Sequence, residues 1–382
     1  MVIYTIIYLI NSLGLVLNER SKKIINYIVI ILLIFISGTR YYMGGNDVLV
    51  YENVYNNVPD VGVVLKYLFT GVNNGVNTNY ETGFLLICAL IKRIGFSYFG
   101  FTLVFATIFY ILMYKGLKGF VSDWTLFWAL FMYKIMFYNT FISIRQGLTM
   151  AIFCYALQYI RDKKFIKYFA LAVIAFLIHR GAIILFLLYF VQYIPVTSKT
   201  IKWTAIIFAP TWLIRGRVDL GGIIDQIITL IGYKNKSEGW TEATEPISII
   251  HTLECYVVVL LVLLLYKKIM STKKQKEAKL VLQLFIFTIP IFTLLSNWIV
   301  MTREKDYFVM MYGILFGYMT EGGTTSPSGC SDSCVGNNNA RILKIGIMLA
   351  CFIGMVRYVM VFDGGVLREF TSFITQGVSI FR

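Results

Sequence analysis

Charge is scarce in this chain, and what there is leans to one sign. Only 14% of its 382 residues are charged, with 20 Asp and Glu against 35 Lys and Arg. A soluble domain of this length carries about a quarter charged residues, so there are too few polar groups to cover a water-facing surface. Mean hydropathy is +0.72. Strict apolar–polar alternation over short segments is also missing: runs such as 28–36 and 256–266 are apolar on every side. That excludes a membrane β-barrel, whose strands alternate. Helices satisfy their own backbone in lipid, so the expected fold is all-α, a polytopic integral membrane bundle.

Other absences narrow the function. There is no P-loop, so ATP-driven transport has no support within the chain. No DxD-type metal motif occurs on the side read below as outer, and neither metal nor cofactor is expected. Residues 1–17 lack a basic start and a small-residue cleavage site, so they are expected to form a first span rather than a cleaved signal. Of six cysteines, most sit within apolar runs and are expected to pack. Cys330 and Cys334 share a Gly/Ser/Asn-rich stretch, with no histidine or second cysteine pair to complete a metal site. The net charge of +15 would suggest nucleic acid in a soluble protein. Here the lysines lie in short runs between apolar segments, as cytoplasmic loops do, and no nucleic-acid partner is expected.

Those basic runs orient the chain. They fall at 20–23, 115–118, 161–167, 199–202 and 267–279, and all five should face the cytoplasm. Two segments decide whether they can. Residues 82–91, after Glu81, rise only about 15 Å as helix, half the hydrocarbon thickness. They are read as re-entrant or interfacial, so the irregular segment covers 81–93. Residues 168–196 are interrupted by His179-Arg180; two short spans meeting there keep 267–279 inside, whereas a single span would not. About twelve spans follow, near 2–18, 24–38, 98–114, 124–139, 146–160, 168–178, 181–195, 203–215, 247–266, 280–300, 307–320 and 345–362, within one membrane domain, 1–382. Both termini then lie outside. Residues 39–80 and 216–245 become outer-face loops and 321–344 a cytoplasmic loop. Short spans predict half-helices lining an outward-facing cavity. Lys134, inside a span, has no evident place.

Charged residues in costly positions gather on the outer side. Arg40, Arg145, Arg180 and Arg303 either snorkel to headgroup phosphates or converge on a lipid-linked phosphate or diphosphate. Their being arginine, where the inner loops favour lysine, points to the second, because a guanidinium offers a rigid fork for phosphate. His179 is either a packed helix-end residue or a proton acceptor for a hydroxyl nucleophile. Glu81, a carboxylate at a depth where charge is expensive, either pairs with an arginine or serves as the base. Gly44-Gly45-Asn46-Asp47 reads as a turn with an Asp helix cap, or as a contact for sugar or phosphate. His251, with Glu254 one turn on, reads as structural.

These same residues resemble the EpsG-like branch of Wzy-type O-antigen and capsular polysaccharide polymerases. The matching pieces are Gly38-Thr39-Arg40-Tyr41 with Gly44 and Asp47 after it, Asn79-Tyr80-Glu81-Thr82-Gly83-Phe84, Ile144-Arg145-Gln146, Arg161-Asp162-Lys163-Lys164, and His179 with Ala182. They cover residues 1–200; beyond that, only hydropathy and 303–307 correspond. The resemblance implies a metal-independent inverting glycosyltransferase in the bacterial cytoplasmic membrane, active at its outer face. Its donor would be a glycan on undecaprenyl diphosphate and its acceptor a lipid-linked repeat unit, with a flippase and a chain-length regulator as pathway partners. It further implies His179 as base with Glu81 in reserve, and Arg145 and Arg40 holding the diphosphate with Arg180 and Arg303 assisting. Asp47, Tyr80 and Gln146 would contact sugar. A lipid-linked glycan flippase, an O-antigen-type ligase and a membrane acyltransferase are the competing readings. A flippase should carry charge within helices at both leaflets, and an acyltransferase a paired His/Asp motif.

Overall fold

The computed structural model describes residues 1–215, 247–321 and 332–382, and they are overwhelmingly helical. Among them, sheet-like pairing is confined to two isolated antiparallel bridges, Arg40 with Ser372 and Phe96 with Phe381. Apolar runs supply the helices, and short polar side chains set where several begin. The Asn18 side chain accepts from the Ser21 N–H, Ser97 from Gly100, and Asp123 from Thr125 and Leu126; each satisfies a donor that a helix start leaves open. The chain divides into two compact units, Met1–Tyr189 with Arg341–Arg382, and Phe190–Ala340.

The first unit contains α1 (Val2–Ser12), α2 (Glu19–Thr39), α3 (Asn46–Asn57), α4 (Val61–Thr70), α5 (Thr82–Arg93), α6 (Tyr98–Leu117), α7 (Trp124–Lys134), α8 (Ile144–Arg161), α9 (Phe165–Ile178) and the short α10 (Ile184–Leu188). At its centre α6 packs on α2 and α8, and α8 on α9; α5 lies against α4 and α9. The core is aromatic, with Trp128, Tyr110, Phe109 and Phe127 essentially inaccessible. The Trp128 indole is satisfied internally: its Nε1 donates to Asn26 Oδ1 at 2.6 Å, as a buried donor must. The last residues strap across the end of α2 and the start of α6. Tyr41 N–H donates to Thr371 O, Phe373 N–H to Thr39 O, and Ser97 N–H to Ile380 O, at 2.8 to 2.9 Å. The helix feeding that strap is held by Lys344 Nζ on Asp123 Oδ2 at 2.6 Å.

The second unit contains helices Ser198–Phe208, Ile249–Leu264, Gln275–Phe285, Thr288–Phe292, Ile299–Glu304 and Asp306–Thr320, with the five-residue Tyr266–Met270 between the second and third. Gln283 Nε2 donates to the carbonyls of Gln192 and Ile194 at 3.0 and 2.7 Å, which anchors Gln275–Phe285.

Among the described residues, three helices are long and apolar enough to cross a membrane: Glu19–Thr39, Tyr98–Leu117 and Asn338–Gly365. Some of the other expected spans are continuous helices, as 146–160, 168–178 and 307–320 are, and some are broken. The stretch 124–139 ends as α-helix at Lys134, whose ammonium sits 4.2 Å over the Tyr133 ring, and continues as a π-helical turn at Phe137–Ile142. Likewise 280–300 breaks after Phe285 and again after Phe292. The break expected at His179-Arg180 is present: α9 ends at Ile178 and His179 is extended. The expected outer loop 39–80 instead carries α3 and α4, where apolar residues of each, Val54 and Val64 among them, are buried. Within the expected loop 321–344, residues from Asp332 on are helical, at the start of Asp332–Val361. The expected loop 216–245 and Cys330 lie outside the described residues, as does the side chain of Cys334. Cys88, Cys154, Cys255 and Cys351 are buried.

Candidate functional site

Two helix ends meet because one residue between them has no side chain. Gly83, in the first turn of α5, lies so close to the end of α9 that a Cβ there would stand 2.6 Å from the Leu177 carbonyl oxygen. The contact lets the start of α5 rest on the end of α9 and brings Glu81, at the α5 N-cap, beside His179 and Arg180. A carboxylate is favoured there, since a helix N-terminus attracts negative charge. Arg145 reaches the same point from the first turn of α8. A cation is disfavoured at that end of a helix, so Arg145 depends on an outside counter-charge.

Glu81 supplies it. Its Oε2 is ion-paired with Arg145 Nη1. Its Oε1 accepts from the Arg180 backbone N–H at 3.0 Å and stands 3.6 Å from His179 Nδ1. The three side chains are mostly withdrawn from solvent, at 10% exposure for Glu81, 21% for Arg145 and 18% for His179. Burial alone would raise the Glu81 carboxyl. The His179 imidazole, the Arg145 charge and the Arg180 N–H outweigh it and hold the group at about 2. Aromatic rings complete the cradle of Arg145: its guanidinium lies 4.8 Å from the centroid of Tyr80 and 5.8 Å from those of Tyr51 and Phe84. Arg145 Nε also donates, at 3.5 Å, to Tyr51 Oη.

Of the residues singled out in the sequence, Glu81, Arg145, His179, Arg180 and Tyr80 therefore come together. Arg180 enters by its backbone; its half-buried guanidinium has no ion-pair or hydrogen-bond partner among the described residues, so a cation is left over beside the pair. Gln146 is buried beside Arg145, with Ser143 Oγ 3.5 Å from its Oε1. Asp47 is exposed in the first turn of α3, one turn before Tyr51. Tyr51 is a further participant; its spacing from Asp47, i to i+4, places both on one face of α3.

Arg40 and Arg303 are placed differently. Arg40 is only 2% exposed, donates to the Ser37 carbonyl and lies 5.4 Å over the Phe141 ring. It sits where the strap pairs with the end of α2. The following turn is equally tight: Gly44, at φ +128°, has no room for a Cβ against the Phe141 carbonyl, a conformation open to glycine. Arg303 is exposed in the second unit. His251 Nδ1 lies 3.0 Å from Glu254 Oε2. Among the described residues, no three His, Cys, Asp or Glu side chains gather where they could hold a metal ion.

The model of the EpsG family matches residues 23–325 of this chain. No curated protein and no solved structure matches it.

Proposed function

This chain belongs to the EpsG family, and we propose that it is a membrane glycosyltransferase polymerising polysaccharide repeat units. Membership itself associates it with polysaccharide-related membrane proteins; the reaction is our reading of the site. In that reading the chain forms a bundle of about twelve spans in the bacterial cytoplasmic membrane, with its site on the outer face. It transfers a glycan from undecaprenyl diphosphate to a lipid-linked repeat unit, with inversion and without a metal. The observation that carries this is the joint hold of Glu81 on Arg145 and on the backbone at His179-Arg180.

The chemistry follows from that hold. An acceptor hydroxyl attacks the anomeric carbon of the donor, and the bond from that carbon to the diphosphate oxygen breaks. The hydroxyl proton passes to His179 Nε2, and the electron pair leaves on the diphosphate. Glu81 is a poor base, because both its oxygens are engaged and its carboxyl is held near 2. Its role is to orient the His179 ring from its Nδ1 side, as an orienting carboxylate does for a catalytic imidazole. Arg180 meets the departing diphosphate with its uncommitted guanidinium, and Arg145 with the donors that Glu81 leaves open. Tyr80, Asp47 and Gln146 are assigned to sugar. Arg40, being enclosed, supports the turn that carries Asp47, and Arg303 is given an assisting role on sequence grounds alone.

The test is made in cells that produce the polymer, with His179→Ala and Arg145→Gln variants of confirmed membrane abundance. Single-repeat glycan should accumulate while long chains fall at least a hundredfold and export of lipid-linked repeats continues. Undiminished long chains in both variants would refute the site, and loss of outward-facing lipid-linked repeat would replace the polymerase by a transporter.

A further inference from the structure

Arg145 and Arg40 are both withdrawn from solvent in the first unit, but they differ in counter-charge. Arg145 is ion-paired with Glu81. The Arg40 side chain makes one hydrogen bond, from Nη1 to the Ser37 carbonyl, and its Nε has no partner among the described residues. The ionisable side chains that act on it most strongly are Tyr98, then Tyr110 and Tyr51, and a phenol is uncharged at neutral pH. Two of these hydroxyls are engaged: Tyr110 Oη lies 3.0 Å from Ser37 Oγ, and Tyr51 Oη accepts from Arg145 Nε at 3.5 Å. The third is not. Tyr98, in the first turn of α6 and 3% exposed, has a hydroxyl without a partner among the described residues. Two buried donors, one at the end of α2 and one at the start of α6, are thus open in the same electrostatic neighbourhood. The place is enclosed. The Phe141 ring lies 5.4 Å from the guanidinium, and the strap pairs with Thr39 and Tyr41 on either side of Arg40.

A guanidinium does not give up its proton inside a protein, and a buried charge without an opposite one is costlier than an unmade hydrogen bond. Water satisfies open donors but leaves the charge as it was. We propose that a monatomic anion of the halide class, chloride in practice, binds beside Arg40 and Tyr98 and accepts from the Arg40 Nε–H and the Tyr98 hydroxyl. Both open groups can donate, as an anion requires, and the enclosure by Phe141 and the strap favours a small ion over a phosphate. Occupancy ties the end of α2 to the start of α6 beneath the strap. The site is separate from the Glu81–Arg145 pair and does not rest on the transfer reaction.

Thermal unfolding of the purified full-length chain in detergent provides the test, as sodium chloride replaces sodium gluconate at constant ionic strength. Tm should rise saturably, as it does for a ligand that binds only the folded state, and bromide should substitute for chloride. Tyr98→Phe, which removes one donor and keeps the ring, should raise the half-saturating concentration at least fivefold. Wild-type crystals grown in bromide should show an anomalous peak within hydrogen-bonding reach of Arg40 Nε. That peak decides alone if Tyr98→Phe does not fold. A Tm indifferent to chloride, an unchanged half-saturation in Tyr98→Phe, or bromide found only elsewhere would each overturn the proposal. So would displacement of the bromide by inorganic diphosphate, which would make Arg40 part of the diphosphate site instead. Failure of the Arg145 and His179 experiment leaves these results untouched, so the two readings fail separately.

Discussion

Glu81 and Glu304 are both glutamates with 10% or less of their side chains exposed, one in each unit, and each has basic residues nearby. Their carboxyls move in opposite directions. Glu81 meets a guanidinium directly, a backbone N–H and an imidazole, and is held at about 2. For Glu304 burial dominates and the Asp306 carboxylate adds to it, so that the group is pushed up to about 8 against the opposing Arg303 and Lys305. Lys305 Nζ lies 3.4 Å from Asp306 Oδ1, and Arg303 is exposed to solvent. The same residue type, similarly withdrawn from water, is a fixed anion in one unit and largely a neutral acid in the other. Composition of the neighbourhood matters less than which donors reach the oxygens.

The sharpest way to break this contrast is to remove each carboxylate. Glu81→Ala leaves Arg145 buried without its counter-charge and should cost about 3–5 kcal/mol, measured by unfolding in detergent, together with all long-chain product. Glu304→Gln, which replaces a largely protonated group at pH 7, should change stability by about 1 kcal/mol or less. Equal losses would end the distinction.

Titration sharpens it further. The folded Glu81 is depressed below its ordinary value of 4.5. Its contribution to stability is therefore present above 4.5 and lost as pH falls towards 2. For Glu304 the folded value is raised, so its contribution is complete below 4.5 and lost as pH rises through about 8. Hydrogen exchange resolved by segment should show the α5–α9 contact loosening on acidification and the Ile299–Thr320 region loosening above pH 7. Glu81→Gln and Glu304→Gln should each abolish their own response.

The smallest effects concern access to the two units' cations. Arg180→Gln, which removes the uncommitted guanidinium, should lower polymer yield about tenfold. Arg303→Gln should lower it less, about twofold to threefold. Tyr51→Phe, which removes a long 3.5 Å contact to Arg145, should cost about 0.5 kcal/mol and no more than a twofold change in yield. A larger loss from Arg303 than from Arg180 would move the weight of the diphosphate site to the second unit.

Much of the candidate site was legible in the chain because charge in apolar surroundings is costly and therefore conspicuous. Glu81 at the head of a short apolar segment, and His179-Arg180 interrupting a longer one, stood out for that reason, and they prove to be neighbours. The four arginines looked alike by the same criterion, yet Arg40 is enclosed under Phe141 and Arg303 belongs to the second unit. Hydropathy alone could not separate a guanidinium that caps a helix end from one that faces a site. A helix after the Gly44-Gly45 turn was one of its readings, but α4, apolar yet only ten residues long, is too short to stand out as a span.

By itself the sequence determined that the fold is helical, that long apolar segments dominate it, and which few charges had to be accounted for. Those are consequences of local composition and period, which every segment carries with it. Only the tertiary structure decided which charges meet. The absence of a side chain at Gly83 lets α5 lie on α9, and that contact joins Glu81 to residues 64 and 98 positions further along the chain, Arg145 and His179. An apolar gap between α5, α6 and α8 arises in the same way, lined by Phe84, Phe105 and Leu148, which are unremarked singly and form a surface only where the three helices meet. Pairing energies and gaps belong to packing, and packing is written in no single segment.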